Sequence, residues 1–225
     1  YLLAVGAPKS GRTMLVRGQL NSVVSQYTPE QAQIVIMESK FGLYAEQQEL
    51  AKRGYLLAYS GGRDGVAEAA EKIAAMITPR EPNVVDGELD VDALRNRSWW
   101  SGPELFVFID DIHLVAPSSM MMMNNPLEPL YALLEGRSDL GLHVCITGPA
   151  AGFGAARMSN RAYKALEAAQ AQVLLFSGPV AEGVLWPGTG IKFAPRRPGL
   201  AMLVDTPTNS TELIQTPLAR PWEDG

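Results

Sequence analysis

The segment that most constrains this chain is Gly6-Ala7-Pro8-Lys9-Ser10-Gly11-Arg12-Thr13. It follows the apolar run Tyr1 to Val5 and opens a helical stretch that extends to about Gln26. The spacing is that of the phosphate-loop pattern G-x-x-x-x-G-K-[ST], with Arg12 in the place of the lysine. A glycine-rich turn lets backbone N–H groups point inward around a phosphate, and the start of the following helix adds partial positive charge. Thr13 is then placed to hold Mg²⁺ through its hydroxyl. An ordinary strand–turn–helix corner is the other reading of the loop taken alone.

A second element supports the first. Leu105 to Ile109 is the most apolar strand candidate, and it ends in Asp110 and Asp111. A strand ending in an acid is what the metal side of a phosphate site requires, with Asp110 holding Mg²⁺ through its water shell. Asp111 stands where such enzymes often place a glutamate that polarises the attacking water. Its side chain is one methylene shorter, so its reach falls short by roughly 1.5 Å, and small misplacements are costly in catalysis. The loop strand and the Asp strand are expected to be neighbours. Thr147, at the end of the next strand, is read either as a γ-phosphate sensor or as turn chemistry before Gly148-Pro149.

Apolar runs and helical stretches alternate along the rest of the chain. Strands are expected at 33–37, 55–59, 105–109, 142–147, 172–176, 200–204 and 213–216. Helices are expected at 45–53, 66–77, 91–97, 129–135 and 155–171; in 66–77 Ala and Ile recur three and four residues apart. Continuous apolar strands bounded by helices predict an α/β fold, a mainly parallel sheet covered on both faces. The final third loses its helices, so a short antiparallel addition is expected at the end. No internal repeat is visible. The chain reads as one domain over 1–205, with a C-terminal strand and polar tail of the same domain over 206–225.

Composition narrows the function. Of 225 residues, 19% are charged and 47% apolar. The charged share is below the ~25% usual for soluble domains, so much of the chain is buried or docked. Disordered, collagen-like and disulfide-stapled chains are excluded. Nineteen basic against 24 acidic residues leave a net charge of −5, which argues against a free-standing nucleic-acid binder. The single cysteine, Cys145, cannot make an internal disulfide and reads as a buried hydrophobe in a reducing compartment. No run reaches 18 consecutive apolar residues, and no signal-peptide pattern is visible. A chain opening at Tyr1 inside an apolar run is expected to be an excised domain, with any anchor elsewhere.

The loop Ser10 to Thr13, the strand ending Ile109-Asp110-Asp111, the passage Leu174 to Gly178 and the run Pro195 to Val204 come in an order that resembles the FtsK/SpoIIIE-like P-loop ATPases. More narrowly, the chain is similar to a late ATPase module of the EccC component of type VII (ESX) secretion systems. The resemblance implies a RecA-like P-loop fold with ATP and Mg²⁺ as cofactors. It implies nucleotide contacts from Gly6, Ala7, Pro8, Lys9, Ser10, Gly11, Arg12, Thr13, Met14 and Asp110, metal contacts from Thr13 and Asp110, and a catalytic position at Asp111. EccC proteins carry a membrane-anchored N-terminal part and three ATPase modules in series. The later modules have altered phosphate loops and hold ATP without fast turnover, and the last recognises the C-terminal signal of WXG-type substrates. Arg12 and Asp111 depart from the motor pattern as a late module does, and the Pro-rich polar tail fits the last one.

The implied partners are neighbouring ATPase modules, WXG-type substrates and the membrane complex, without nucleic acid. The implied assembly is a hexamer, with a monomer for the isolated domain, at the cytoplasmic face of the membrane. Whether the domain hydrolyses ATP stays open. Two rival readings stand beside it: an active FtsK-like DNA translocase, and a protein-interaction module that has lost nucleotide.

Other residues carry two readings each. Met120 to Met123 form either a groove for an amphipathic helix or an apolar loop covered by a neighbouring module. Trp99 and Trp100 either pack on the sheet edge or stack on adenine. His113 could touch the site, whereas His143 reads as structural in a buried strand. Two histidines and one distant cysteine lack zinc-like spacing. Arg157, Arg161, Arg196 and Arg197 either reach a phosphate or are solvated.

Overall fold

Alternate residues of the central strands feed two separate cores. In a computed structural model, which describes residues 1–62, 65–82, 91–117, 125–136, 139–219 and 222, Leu105, Val107 and Ile109 face one core while Phe106 and Phe108 face the other. Side chains of a strand point alternately to opposite faces. A strand apolar at every position is therefore stable only where both faces are covered.

The chain order is β1 (Leu2–Gly6), α1 (Arg12–Gln26), β2 (Ala32–Met37), α2 (Tyr44–Lys52), β3 (Leu56–Ser60), α3 (Val66–Ile77), α4 (Val91–Asn96) and β4 (Glu104–Ile109). It continues with α5 (Ile112–Val115), α6 (Glu128–Glu135), β5 (Leu142–Pro149), α7 (Phe153–Ser159), α8 (Arg161–Ala168), β6 (Gln172–Leu175), β7 (Leu200–Asp205) and β8 (Ser210–Gln215). Among the described residues the strands form one sheet in the order β3-β2-β4-β5-β1-β6-β7-β8. The first six in that order are parallel, and β7 and β8 add on antiparallel. The mainly parallel sheet with an antiparallel addition is as the sequence implies.

Helices cover both faces. α1 and α2 send Leu15, Val16, Leu20, Val23 and Leu50 into one core. α3, α6 and α8 pack Ile73, Ile77, Leu130, Tyr131 and Leu166 into the other. A buried Leu or Ile side chain contributes about 1.5–3 kcal/mol relative to exposure.

Four local readings are corrected. β5 lies between β1 and β4, so the loop strand and the Asp strand are not neighbours. β5 also runs on through Thr147 to Pro149, because its pairing with β1 continues to Gly6 and Pro149. The Ala-rich stretch is two helices rather than one. Asn160 is extended, and its side chain accepts from Ala162 N at 2.9 Å, capping α8; such a cap satisfies an orphan N–H at a helix start. His143 is exposed rather than buried, pairs with Glu104 at 2.9 Å and stacks on Phe106 at 4.5 Å. Met120 to Met123 lie outside the described residues.

Trp99 and Trp100 sit at the N-terminal ends of the strands. Trp99 Nε1 donates to Arg80 O at 2.8 Å and Trp100 Nε1 to Asp139 O at 3.1 Å. The Arg80 guanidinium lies 4.3 Å over the Trp100 ring. This pair packs at the far end of the sheet from the phosphate loop, so the adenine-stacking reading is overturned.

Candidate nucleotide site

The phosphate-loop pattern forms the turn between β1 and α1. Gly11 is the N-cap of α1 in a left-handed conformation, φ 115°. A Cβ there would stand 2.9 Å from Gly199 N, so the turn needs glycine for both conformation and space. No side chain caps the first turn of α1 and no acid lies in it. Its N–H groups and the positive end of the helix dipole are left for an anion. Ala7 N donates to Ser177 O and Gly199 N to Ser10 O, which ties the loop to the segments before β7.

Asp110 stands at the tip of β4 and is buried. Thr13 Oγ1 donates to its Oδ2 at 2.8 Å, and Thr147 Oγ1 donates to its Oδ1 at 2.6 Å. Asp111 N donates to Thr147 Oγ1 at 2.8 Å. The Thr147 hydroxyl is thus spent inside the protein, and its residue does not line the cleft. Thr147 lies within β5 rather than in a turn, and it orients the Asp pair.

Asp111 has a left-handed backbone, φ 59°. Arg12 Nη1 lies 2.6 Å from its Oδ1 and Lys40 Nζ 2.5 Å from its Oδ2. The Arg12 pair is close, but its alignment leaves Nη1 and Oδ1 without a well-directed hydrogen bond. His113 Nδ1 lies 4.0 Å from Asp111 Oδ1. Burial depresses the His113 imidazole, with Asp111 opposing that effect. Behind the pair, burial pushes the Tyr163 phenol up to about 12.

A cleft of about 870 Å³ opens over these groups. Its walls include Pro8, Lys9, Gly11, Arg12, Thr13, Met14, Asp110 and Asp111, all singled out by sequence. Gly6 ends β1 and Ala7 follows it; neither lines the cleft. Ser10 is buried with an Oγ that has no protein partner. Arg12 Nη1 and Asp111 Oδ1 face each other as an ion pair, whereas Ser10 Oγ and His113 Nδ1 are buried without a hydrogen-bond partner. Such groups are rare in proteins and call for a ligand or solvent.

Several contributors have no local motif. Lys40 and Gly42, after β2, line the cleft, as do Gln215 to Leu218 at the end of β8. Glu38 is buried at the tip of β2, accepts from Leu43 N at 3.1 Å and from the Tyr59 hydroxyl at 3.1 Å. Burial raises its carboxyl above the usual range, partly offset by those bonds. An acid directly after an apolar strand is the one signal that could have marked it.

Arg17 also lines the cleft, but the other arginines singled out by sequence lie elsewhere. Arg157 pairs with Glu167 at 2.6 Å, and Arg161 pairs with Glu128 and Glu135. Neither lines the cleft; nor do Arg196 and Arg197, whose neighbours Pro198 and Gly199 do. Among the described residues no group of three or more His, Cys, Asp or Glu could hold a metal alone. No described helix is long and apolar enough to cross a membrane.

No protein-family model matches the chain. It is 29% identical over 224 residues to the ESX-1 secretion system protein EccCb1 of Mycolicibacterium smegmatis, which covers 100% of this chain and 36% of that protein. It is 30% identical over 185 residues to the ESX secretion system protein EccC of Thermomonospora curvata, 82% of this chain and 13% of that protein. The chain thus spans about a third or less of these curated relatives. A solved structure of Thermomonospora curvata EccC, ATPases 2 and 3 in complex with a signal sequence peptide, superposes with a TM-score of 0.80 at 26% identity. That match covers all of this chain and 37% of the other. The homologues of this chain are ESX secretion EccC proteins, and its fold is that of a P-loop ATPase module of EccC.

Proposed function

We propose that this domain binds Mg-ATP in the cleft over its phosphate loop and turns it over slowly or not at all. The observation that carries the proposal is the joint engagement of Asp110 and Asp111. Asp110 receives the Thr13 hydroxyl at 2.8 Å, which pairs the two groups a phosphate-bound metal uses. Asp111 is held between Arg12 and Lys40.

The residues fit the group. The first turn of α1 is uncapped by any side chain, so its N–H groups are available to an anion. Thr13 and Asp110 would hold Mg²⁺, Asp110 through the metal's water shell. Mg²⁺ held there would neutralise phosphate charge. The loop from Gly6 to Met14 orients the phosphates through its backbone, and Arg12 brings positive charge to it. Arg is planar and larger than Lys, so it does not place that charge as a lysine does.

Asp111 is the residue that would take a proton from water. Arg12 engages one of the Asp111 carboxylate oxygens in a close ion pair, and the short Asp111 side chain limits its reach. Fast hydrolysis is therefore not its work. The domain acts as a regulatory or substrate-receiving module of the type VII secretion motor, most simply the last of the series. In that role it docks on neighbouring modules and recognises the C-terminal signal of WXG-type substrates at the cytoplasmic face of the membrane, within a hexamer.

Calorimetric titration of Mg-ATP into the chain tests this, with Thr13→Ala and Asp110→Ala beside it. Saturable binding that both variants weaken is expected. Absence of binding by the folded wild type removes the nucleotide reading. Turnover approaching the ~10 s⁻¹ typical of enzymes removes slow hydrolysis.

A further inference from the structure

We propose that Lys40 is a second phosphate-binding cation of this site, one that serves the terminal phosphate of a nucleoside triphosphate. The inference rests on the nucleotide reading above and adds to it a residue outside the loop motif.

One carboxylate holds two cations here. Asp111 Oδ1 lies 2.6 Å from Arg12 Nη1, and Asp111 Oδ2 lies 2.5 Å from Lys40 Nζ. The two cations are not equivalent. The Arg12 side chain is 10% exposed, whereas that of Lys40 is 64% exposed. Moving Arg12 off Asp111 would strand a buried charge, which is costly. Moving Lys40 costs little, because its stem is already in solvent and Asp111 keeps Arg12. Lys40 is thus the cation free to transfer to an entering anion.

The backbone that carries Lys40 is fixed. Glu38 accepts from Leu43 N across the turn, and Arg17 donates to Gly42 O. Phe41, next to Lys40, has φ 54°, a left-handed turn conformation uncommon for a bulky residue. From this anchored turn the Lys40 side chain swings over the cleft it lines with Thr13 and Asp110. In the usual loop a lysine reaches the outer phosphates. Here Arg12 occupies that position and is committed to Asp111. A flexible ammonium is a strong phosphate partner as a point charge. The terminal phosphate of a triphosphate carries more charge than the single carboxylate it displaces.

The test compares Mg-ATP with Mg-ADP by calorimetry on wild type, Lys40→Ala, Lys40→Gln and Lys40→Arg. Loss of a charged hydrogen bond predicts that Lys40→Ala and Lys40→Gln weaken ATP binding by about tenfold or more. ADP binding is expected to stay within about twofold, since the group concerned is absent from ADP. Lys40→Arg is expected to restore most of the ATP affinity. Unchanged ATP binding in both neutral variants, or equal losses for ATP and ADP, overturns the proposal and leaves the nucleotide site standing. No binding of either nucleotide by folded wild type overturns both.

Discussion

Thr147 donates its hydroxyl proton to Asp110 Oδ1 at 2.6 Å and accepts from Asp111 N at 2.8 Å. One side chain on β5 thereby sets both acids at the tip of β4. Asp110 is left with Oδ2 turned toward Thr13. The strand inserted between β1 and β4 is therefore part of the site: it spans the gap between loop and acid and fixes the acid's orientation.

Thr147→Val removes that hydroxyl at nearly constant volume. Asp110 Oδ1 and Asp111 N are then buried without a partner. The expected loss is about 2–3 kcal/mol in chemical denaturation, together with weaker Mg-ATP binding. Thr147→Ser keeps the hydroxyl and loses one methyl, so about 1 kcal/mol is expected. Equal losses for the two variants would assign Thr147 to packing instead.

Gly11 tests the loop by sterics. Gly11→Ala places a Cβ at φ 115°, 2.9 Å from Gly199 N. A left-handed conformation alone costs about 1–2 kcal/mol for alanine, and the clash adds to it. Loss of Mg-ATP binding is expected, because relief requires the loop to move. Gly152→Ala is the comparison: φ is 74° there, with nothing within 4 Å. It should lose a similar conformational cost and leave nucleotide affinity unchanged.

The parts of the fold that sequence shows are those encoded within a dozen residues. The loop from Gly6 to Thr13, its helix and the strand ending in Asp110 are each a local pattern. The helix Val66–Ile77 has the bounds its periodicity implies. Strand order is not local, so nothing near Asp110 announces that β5 comes between it and β1. Lys40 was invisible for the same reason. It stands 71 residues from Asp111 in the chain, and only the pairing of β2 with β4 brings them together. Asn160 shows a different limit. Alanines on either side favour one continuous helix, and a single capping amide breaks it. Trp222 sits in a segment that reads as a polar tail, yet it bonds to Asn21 and lies 5.6 Å from the Arg53 guanidinium.

Arg80 anchors the end of the sheet opposite the site. It is 6% exposed, and its guanidinium donates to Leu140 O at 2.8 Å and Pro103 O at 2.7 Å. Burial lowers its pKa, as expected for a charge taken from water. Arg80→Ala strands two carbonyls and uncovers the Trp100 ring, so a loss of about 2–4 kcal/mol is expected by urea denaturation. Lysine lacks the planar fork, so Arg80→Lys is expected to recover less than half. Nucleotide affinity should not change in either variant. A fall in affinity as large as that of Asp110→Ala would mean that the two ends of the sheet are coupled.

Cys145 gives the pH prediction. It is buried on β5, and burial pushes its thiol from the ordinary 9.0 up to about 12. The folded chain keeps this proton to about pH 12, whereas the unfolded chain releases it near 9.0. Between those values the folded state binds more protons, so stability falls as pH rises. The stabilisation from the protonated thiol is complete below pH 9. It declines above that with a slope of up to about 1.4 kcal/mol per pH unit. Cys145→Ala should be less stable at neutral pH, because it leaves a small cavity, but its stability should fall less steeply above pH 9. The native thiol should also resist alkylation at pH 8, since the reactive species is the thiolate. Rapid native-state alkylation, or parallel alkaline slopes for the two proteins, would show that the thiol ionises in the folded chain as it does in water.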